Sequence, residues 1–242
     1  MTRGNRFIYP ALISGIALVI GLFFIANAIN KFSKKDQIIT VTGSAKKDLV
    51  SDLGIQRGNL SISGGTAAEA YRLLQNQKPI LLDYLKTKGF SVDQIEFQTI
   101  SNYPNYNYGE NGVQLGIRDF TCSQGFEFQS NDVKKIKDIS LDISSLVERG
   151  LNFSVSSPEY YYTKLADLKI EIQAAAAKDA MTRGQKIAEA TSRKLGTLTN
   201  ARMGVLQITP KNSNMISDYG MNDVSSIEKE LTAVVNASFE IE

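Results

Sequence analysis

Toward its C-terminus the chain alternates in chemistry: Leu231, Ala233, Val235, Ala237, Phe239 and Ile241 fall on one side, and Thr232, Asn236, Ser238, Glu240 and Glu242 on the other. Successive side chains of a strand point to opposite faces, so this segment reads as a strand with one face buried and the other wet. Parallel strands covered on both sides read instead as continuous apolar runs, so the pattern favours an antiparallel sheet with helices on one face. Any fold for this chain has to supply that cover.

The upstream segments can supply it. Ile39 and Val41 alternate with Thr40 and Thr42, which predicts a strand ending near Gly43, and a second strand runs through Leu60 and Ile62 to Gly64-Gly65. Thr66-Ala-Ala-Glu69 has the form of a capping box, and the helix it opens keeps Ala70, Leu73, Leu74, Leu81, Tyr84 and Leu85 at helical spacing until Gly89. Pro79 inside it is expected to bend or divide the helix. Ile95, Phe97 and Thr99 alternate next, then a turn-like stretch from Asn102 to Gly112, then a strand carrying Phe126 and Phe128, which together predict a hairpin with a long tip. A second helix is expected from Asp132 to Arg149, capped by Ser130 or Asn131 and closed by Gly150. Leu151, Phe153 and Val155 resume a strand pattern, an alanine-rich helix follows over Leu165 to Leu195 and closes at Gly196, and a strand at Leu198 to Thr209 and a polar loop at Lys211 to Asp223 precede the last strand. The order ββαββαβαββ is α+β: antiparallel sheet packed with helices on one face. About 205 residues are enough chain for a real core.

Before that domain, 24 residues between Arg6 and Lys31 carry no charge. The apolar stretch from Ile8 to Ile29, at about 1.5 Å per residue, makes a helix of roughly 33 Å, enough to cross a bilayer. Tyr9 and Phe32 stand where interfacial aromatics are expected, and Arg3, Arg6, Lys31, Lys34 and Lys35 flank the segment too evenly for charge to orient it. Ala11/Gly15 and Ala17/Gly21 are small residues at helix-packing spacing. Ala26-Asn27-Ala28 fits a processing site, so cleaved secretion at Ala28 is the alternative, but the apolar run exceeds the 7 to 15 residues or so of a signal peptide. The expectation is a membrane anchor and linker over residues 1–35 and an extracytoplasmic domain over 36–242, in the cytoplasmic membrane with a single pass.

Composition narrows the function classes. The chain has no histidine, which removes Ser-His-Asp and Cys-His triads and every imidazole base, and a single cysteine, Cys122, which removes an intrachain disulfide and any multi-cysteine metal cluster. Without Arg3 and Arg6, the remaining 25 basic residues balance 25 acidic ones. A neutral domain without a basic stripe is a poor match to the nucleic-acid backbone.

Few motifs carry chemistry. Ser44-Ala-Lys-Lys47 has the spacing in which a lysine activates a serine, but its companion elements are missing and it sits at a strand end. Cys122 would be a redox thiol if exposed beside a positive charge such as Arg118, and an inert buried thiol on a strand otherwise. Tyr103-Pro-Asn-Tyr-Asn-Tyr108 can be read as a hairpin tip or as an aromatic contact surface of Tyr103, Tyr106 and Tyr108 for glycan, peptide or a neighbouring subunit. Tyr160 to Tyr162 pose the same choice with strand packing as the default, and Asp132, Asp138 and Asp142 read as a solvated helix face rather than a cation site. No cofactor is expected.

Four stretches carry a family resemblance: Ile39-Thr-Val-Thr-Gly43, Thr66-Ala-Ala-Glu-Ala70, the Leu85 to Tyr106 passage, and Lys194-Leu-Gly196 at the end of the long helix. In order and spacing, over nearly all of Ile38 to Ile241, they resemble the SIMPL domain of bacterial periplasmic and membrane-anchored proteins. The resemblance implies an extracytoplasmic α+β protein of two interwoven subdomains, in some members a large ring or channel-like oligomer, with links to oxidative-stress tolerance or surface immunogenicity and no catalytic residues to carry over. This chain departs from the pattern at Gly116-Ile-Arg118, where a tyrosine usually precedes the arginine, and in its Lys211 to Asp223 loop. The expected function is a membrane-anchored, homo-oligomeric envelope scaffold or interaction module without catalysis. A binding module for a small apolar ligand is the alternative, and a carboxylate-dependent hydrolase a more distant one.

Overall fold

The computed structural model of the chain describes residues 8–34 and 37–241, with side chains of the first helix described over residues 12–26. That helix, α1, spans Ile8–Lys34. Its large apolar side chains from Leu12 to Ile25 are 51% to 67% exposed. Among the described residues no helix is long and apolar enough to cross a membrane; the described α1 side chains cover 15 residues, against the 20 or so that a span needs. Arg3, Arg6 and Lys35, and the side chains of Tyr9, Ala11, Asn27, Ala28, Lys31, Phe32 and Lys34, lie outside the described residues.

The rest is α+β and divides into two compact units, to both of which strands β1 (Ile38–Val50) and β11 (Glu228–Ile241) contribute. In the first unit the end of β11 pairs antiparallel with β8 (Leu195–Met203), in the register Val235 opposite Met203 and Ala237 opposite Ala201. Thr40 and Thr42 of β1 bond across to Ser238 and Asn236 of β11, so these strands also run antiparallel. Helix α4 (Leu165–Ala190) covers this sheet from Ile170 onward through a stripe of small residues: Ala176 and Ala180 are fully buried and Ala188 nearly so. The stripe lets backbone approach backbone, and a Cβ on Gly43 of β1 would fall 2.3 Å from both Ala176 O and Ala180 N.

The second unit is built on a six-stranded sheet of order β3–β5–β2–β6, with β4 also on β5 and β7 also on β2. Its strands are β2 (Leu53–Gly64), β3 (Ile95–Phe97), β4 (Ser101–Tyr108), β5 (Gln114–Ser130), β6 (Phe153–Val155) and β7 (Glu159–Tyr161), all paired antiparallel. Helices α2 (Ala67–Thr87) and α3 (Val133–Asp142) bury Leu74, Leu81, Leu85, Ile136 and Ile139 against Leu60, Phe126 and Phe128. That interface is filled, so it leaves no room between sheet and helices for the small apolar ligand of the alternative reading. The start of β11 pairs with β9 (Gln207–Pro210), which carries β10 (Met221–Asn222) in parallel.

Several sequence expectations change. Helix α2 runs undivided through Pro79, because only one amide is lost and the apolar face of Leu74, Leu81 and Leu85 holds both halves. The Thr66 hydroxyl accepts from the Glu69 amide at 3.1 Å as expected, but the Glu69 carboxylate reaches back one residue further, to the Gly65 amide at 3.0 Å. The second helix is capped by Asp132, whose carboxylate accepts from Lys134 N and Lys135 N, and after Asp142 it tightens into a 3₁₀ segment, Ile143–Arg149, before Gly150 at φ +82°. The long helix stops at Ala190 rather than Leu195, and β1 continues to Val50 rather than ending near Gly43.

A candidate contact surface

The turn-like stretch at Asn102 to Gly112 is a strand for most of its length. Strand β4 pairs with β5 in the register Tyr103 opposite Thr121, Tyr106 opposite Ile117 and Tyr108 opposite Gln114. The turn is short: Gly109 N donates to Val113 O and Gly112 N to Gly109 O, both at 2.9 Å, with Gly112 at φ +72°. Register shifts at Asn105/Tyr106 and Asn107/Tyr108 add twist, as bulges do, and Gly116 takes φ +149° beside the second.

Strand β2 follows β5 only as far as Gly64 opposite Phe120. Beyond that point β5 has β4 as its one sheet neighbour, and the two form a ribbon exposed along both strands. Tyr103, Tyr106 and Tyr108 are exposed on it, with Tyr108 at 64%. The structure adds Val113, Leu115 and Ile117, the last directly opposite Tyr106; Leu115 is 71% exposed. Their i, i+2, i+4 spacing in Val113-Gln-Leu-Gly-Ile117 was the available signal. At the root of the ribbon, Asn105 Nδ2 donates to the Asp119 carboxylate and to Thr121 Oγ1, which bonds Ser63 Oγ at 2.8 Å. Hydrogen bonds from Asn105 and then Arg118 hold the Asp119 carboxyl below the usual carboxylate range. The ribbon thus rises from a fixed polar base into an apolar tip.

The other candidates lie in the framework. Cys122 is fully buried on β5, opposite Ile62 and Asn102, and burial pushes its thiol up, so neither exposure nor activation supports a redox role. Tyr160 is buried, and the Tyr161 hydroxyl donates to Glu159 Oε2 at 2.5 Å. That carboxylate also meets Arg57, which bridges to Glu127 at 2.6 Å. Asp132 caps α3, and Asp142 accepts from Tyr84 Oη at 2.9 Å and Lys88 Nζ at 2.7 Å. Among the described residues no group of three or more acidic or cysteine side chains could hold a metal ion. Ser44 lies in β1, where its amide donates to Asp179 Oδ2 at 2.8 Å.

One polar cluster escaped the sequence reading. The Lys229 side chain is 2% exposed and its ammonium donates to Asp223 O and, at 3.1 Å, to Asp223 Oδ2. The Asp223 carboxylate also accepts from the amides and hydroxyls of Ser225 and Ser226. Burial works against its ionisation, but the donors from Ser226, Ser225 and Lys229 outweigh it and hold the carboxyl far below its ordinary value. Burial pulls the Lys229 ammonium the opposite way, toward losing its proton, and the ion pair partly offsets that. The carboxylate is the firmer of the two, because five donors converge on it. Lys229 donates to no serine hydroxyl, so the cluster lacks the geometry of an activated nucleophile.

A family model described as "SIMPL: Protein of unknown function (DUF541)" matches residues 39–239. No curated protein sequence matches the chain. Among solved structures, one described as a "putative amidohydrolase/peptidase from Burkholderia cenocepacia" is similar at 12% identity and TM-score 0.23, over 63% of this chain and 37% of that one. At that TM-score the likeness says nothing of fold or chemistry.

Proposed function

The chain belongs to the SIMPL family, whose function is unknown, and from that premise we propose that it is a non-catalytic contact module, tethered to the cytoplasmic membrane by α1 with its domain outside the cytoplasm, that assembles with further copies of itself through the β4–β5 ribbon. The observation that carries this reading is the ribbon itself. Two strands without a third, or a covering helix, are marginal in water, and this pair exposes six large apolar or aromatic side chains on an open edge. A partner strand or surface would cover both liabilities. Tyrosines suit such a role, giving large contact area at low entropic cost.

The tether rests on the charge-free run from Ile8 to Ile29 and on the exposed apolar side chains of α1 between Leu12 and Ile25. Absence of catalysis rests on the lack of any histidine and on the commitment of Lys229 and Asp223 to each other. A part in stress tolerance follows from the family resemblance alone.

A photo-crosslinking amino acid placed at Tyr108 in cells tests the reading. Adducts at whole multiples of the chain mass are expected, and their absence at Tyr108 and at Leu115 alike contradicts assembly through the ribbon.

A further inference from the structure

Helix α3 buries Val133, Ile136 and Ile139, and beside that stripe a second one, Lys134, Lys137, Asp138 and Leu141, follows the same i, i+3, i+4, i+7 spacing. The second stripe does not pack against protein. It borders a cleft of about 830 Å³ whose far walls are Pro158, Tyr160 and the 225–228 segment, all within one unit of the molecule.

Two observations set this cleft apart from an accidental groove. Tyr160 is 4% exposed, with its ring in the core, yet its hydroxyl has no hydrogen-bond partner among the described residues. Burial, with the nearby charge of Asp138 behind it, pushes that hydroxyl up, so it stays protonated and able to donate. Asp138 borders the cleft, so the orphan hydroxyl faces the same space. A buried phenol without a partner is costly, and a ligand would relieve the cost. The second observation concerns charge. Lys134, Lys137, Asp138 and Glu228 all border the cleft, and none of them is in a salt bridge among the described residues. Two free cations and two free anions around one space match a ligand that carries both signs.

The rest of the cleft suits a small, partly apolar molecule. Leu141 is 75% exposed, and with Pro158 and Ile227 it gives an apolar surface. The Asp223 carboxylate ties down Ser225 and Ser226 by amide and hydroxyl, so that wall is ordered before anything binds. Clefts of about 300 to 1,000 Å³ are the size that holds such ligands.

We propose that this cleft binds a short zwitterionic peptide with an apolar side chain: its carboxylate between Lys134 and Lys137 within reach of the Tyr160 hydroxyl, its ammonium toward Asp138 and Glu228, and its side chain over Leu141, Pro158 and Ile227. The inference is independent of the ribbon.

Calorimetric titration of the detergent-solubilised 242-residue chain with the dipeptide Leu-Leu, its N-acetyl form and its C-terminal amide tests it. Saturable binding of the free dipeptide is expected, with each blocked form about tenfold weaker or worse. Tyr160→Phe, which keeps the ring, should weaken the free dipeptide about fivefold with an unchanged melting temperature. Should that variant melt early, the exposed pair Lys134→Gln/Lys137→Gln gives an independent arm: it should weaken the free dipeptide and leave the amide unaffected. No saturable heat up to about 10 mM, equal binding of free and blocked forms, or a lysine variant that binds like the original chain would each overturn the assignment.

Discussion

Lys229 stands two positions before Leu231, on the side of β11 that continues through Ala233, Val235, Ala237 and Phe239 into the core. The alternation that made this strand legible therefore also pointed at Lys229, but a lysine in a core position is so unfavourable that the pattern seemed to start after it. What overrides the rule is a partner 3.1 Å away, and nothing in the spacing of Asp223 and Lys229 distinguishes that pair from ordinary loop charges. Lys229→Ala leaves the Asp223 charge buried and should cost about 3 to 5 kcal/mol in urea unfolding. The pH dependence follows from the carboxyl. Its folded pKa lies below the unfolded value of about 3.9, so the folded state binds fewer protons. The stability it contributes is complete above that unfolded value and is lost as the pH falls through the lower, folded one. Between about pH 6 and pH 2 the original chain should therefore lose more stability than Asp223→Asn. Equal losses in the two proteins would show that the carboxylate is not ionised in the folded state.

At the scale of elements, segments with a single periodicity read correctly and mixed ones did not. The helix starting at Thr66 was visible from its cap, and Thr66→Ala should lower stability by about 1 kcal/mol in the same unfolding assay. Strand β4 was hidden because Asn102, Pro104, Asn105 and Asn107 are turn formers; their place on an outer strand, where β5 is the sole neighbour, is what makes them tolerable. The alanine-rich helix was expected to run to Gly196, whereas the chain turns at Ser192 with φ +58° and enters β8 at Leu195. Gly43 did not end its strand because its need for a bare Cα comes from packing rather than from a turn: α4 lies directly over it. Gly43→Ala forces a Cβ to within 2.3 Å of the α4 backbone, and a loss of about 1 to 3 kcal/mol, read as an earlier melting transition, is expected. A neutral Gly43→Ala would mean that α4 sits further from β1 than described.

For the whole molecule, the α+β class and the one-sided cover followed from residue patterns, while the division into two units with β1 and β11 in common followed from long-range pairing that no local pattern encodes. The contact surface was half legible: three tyrosines stood out, but their meeting with Val113, Leu115 and Ile117 depended on a register that only the fold supplies. Light scattering of the detergent-solubilised chain, alone and with Tyr108→Ser/Leu115→Ser, measures the central claim directly. Assembly through the ribbon predicts an oligomer at micromolar concentration that the double substitution reduces to a folded monomer. A monomer in both cases, or an oligomer indifferent to the substitutions, would contradict it.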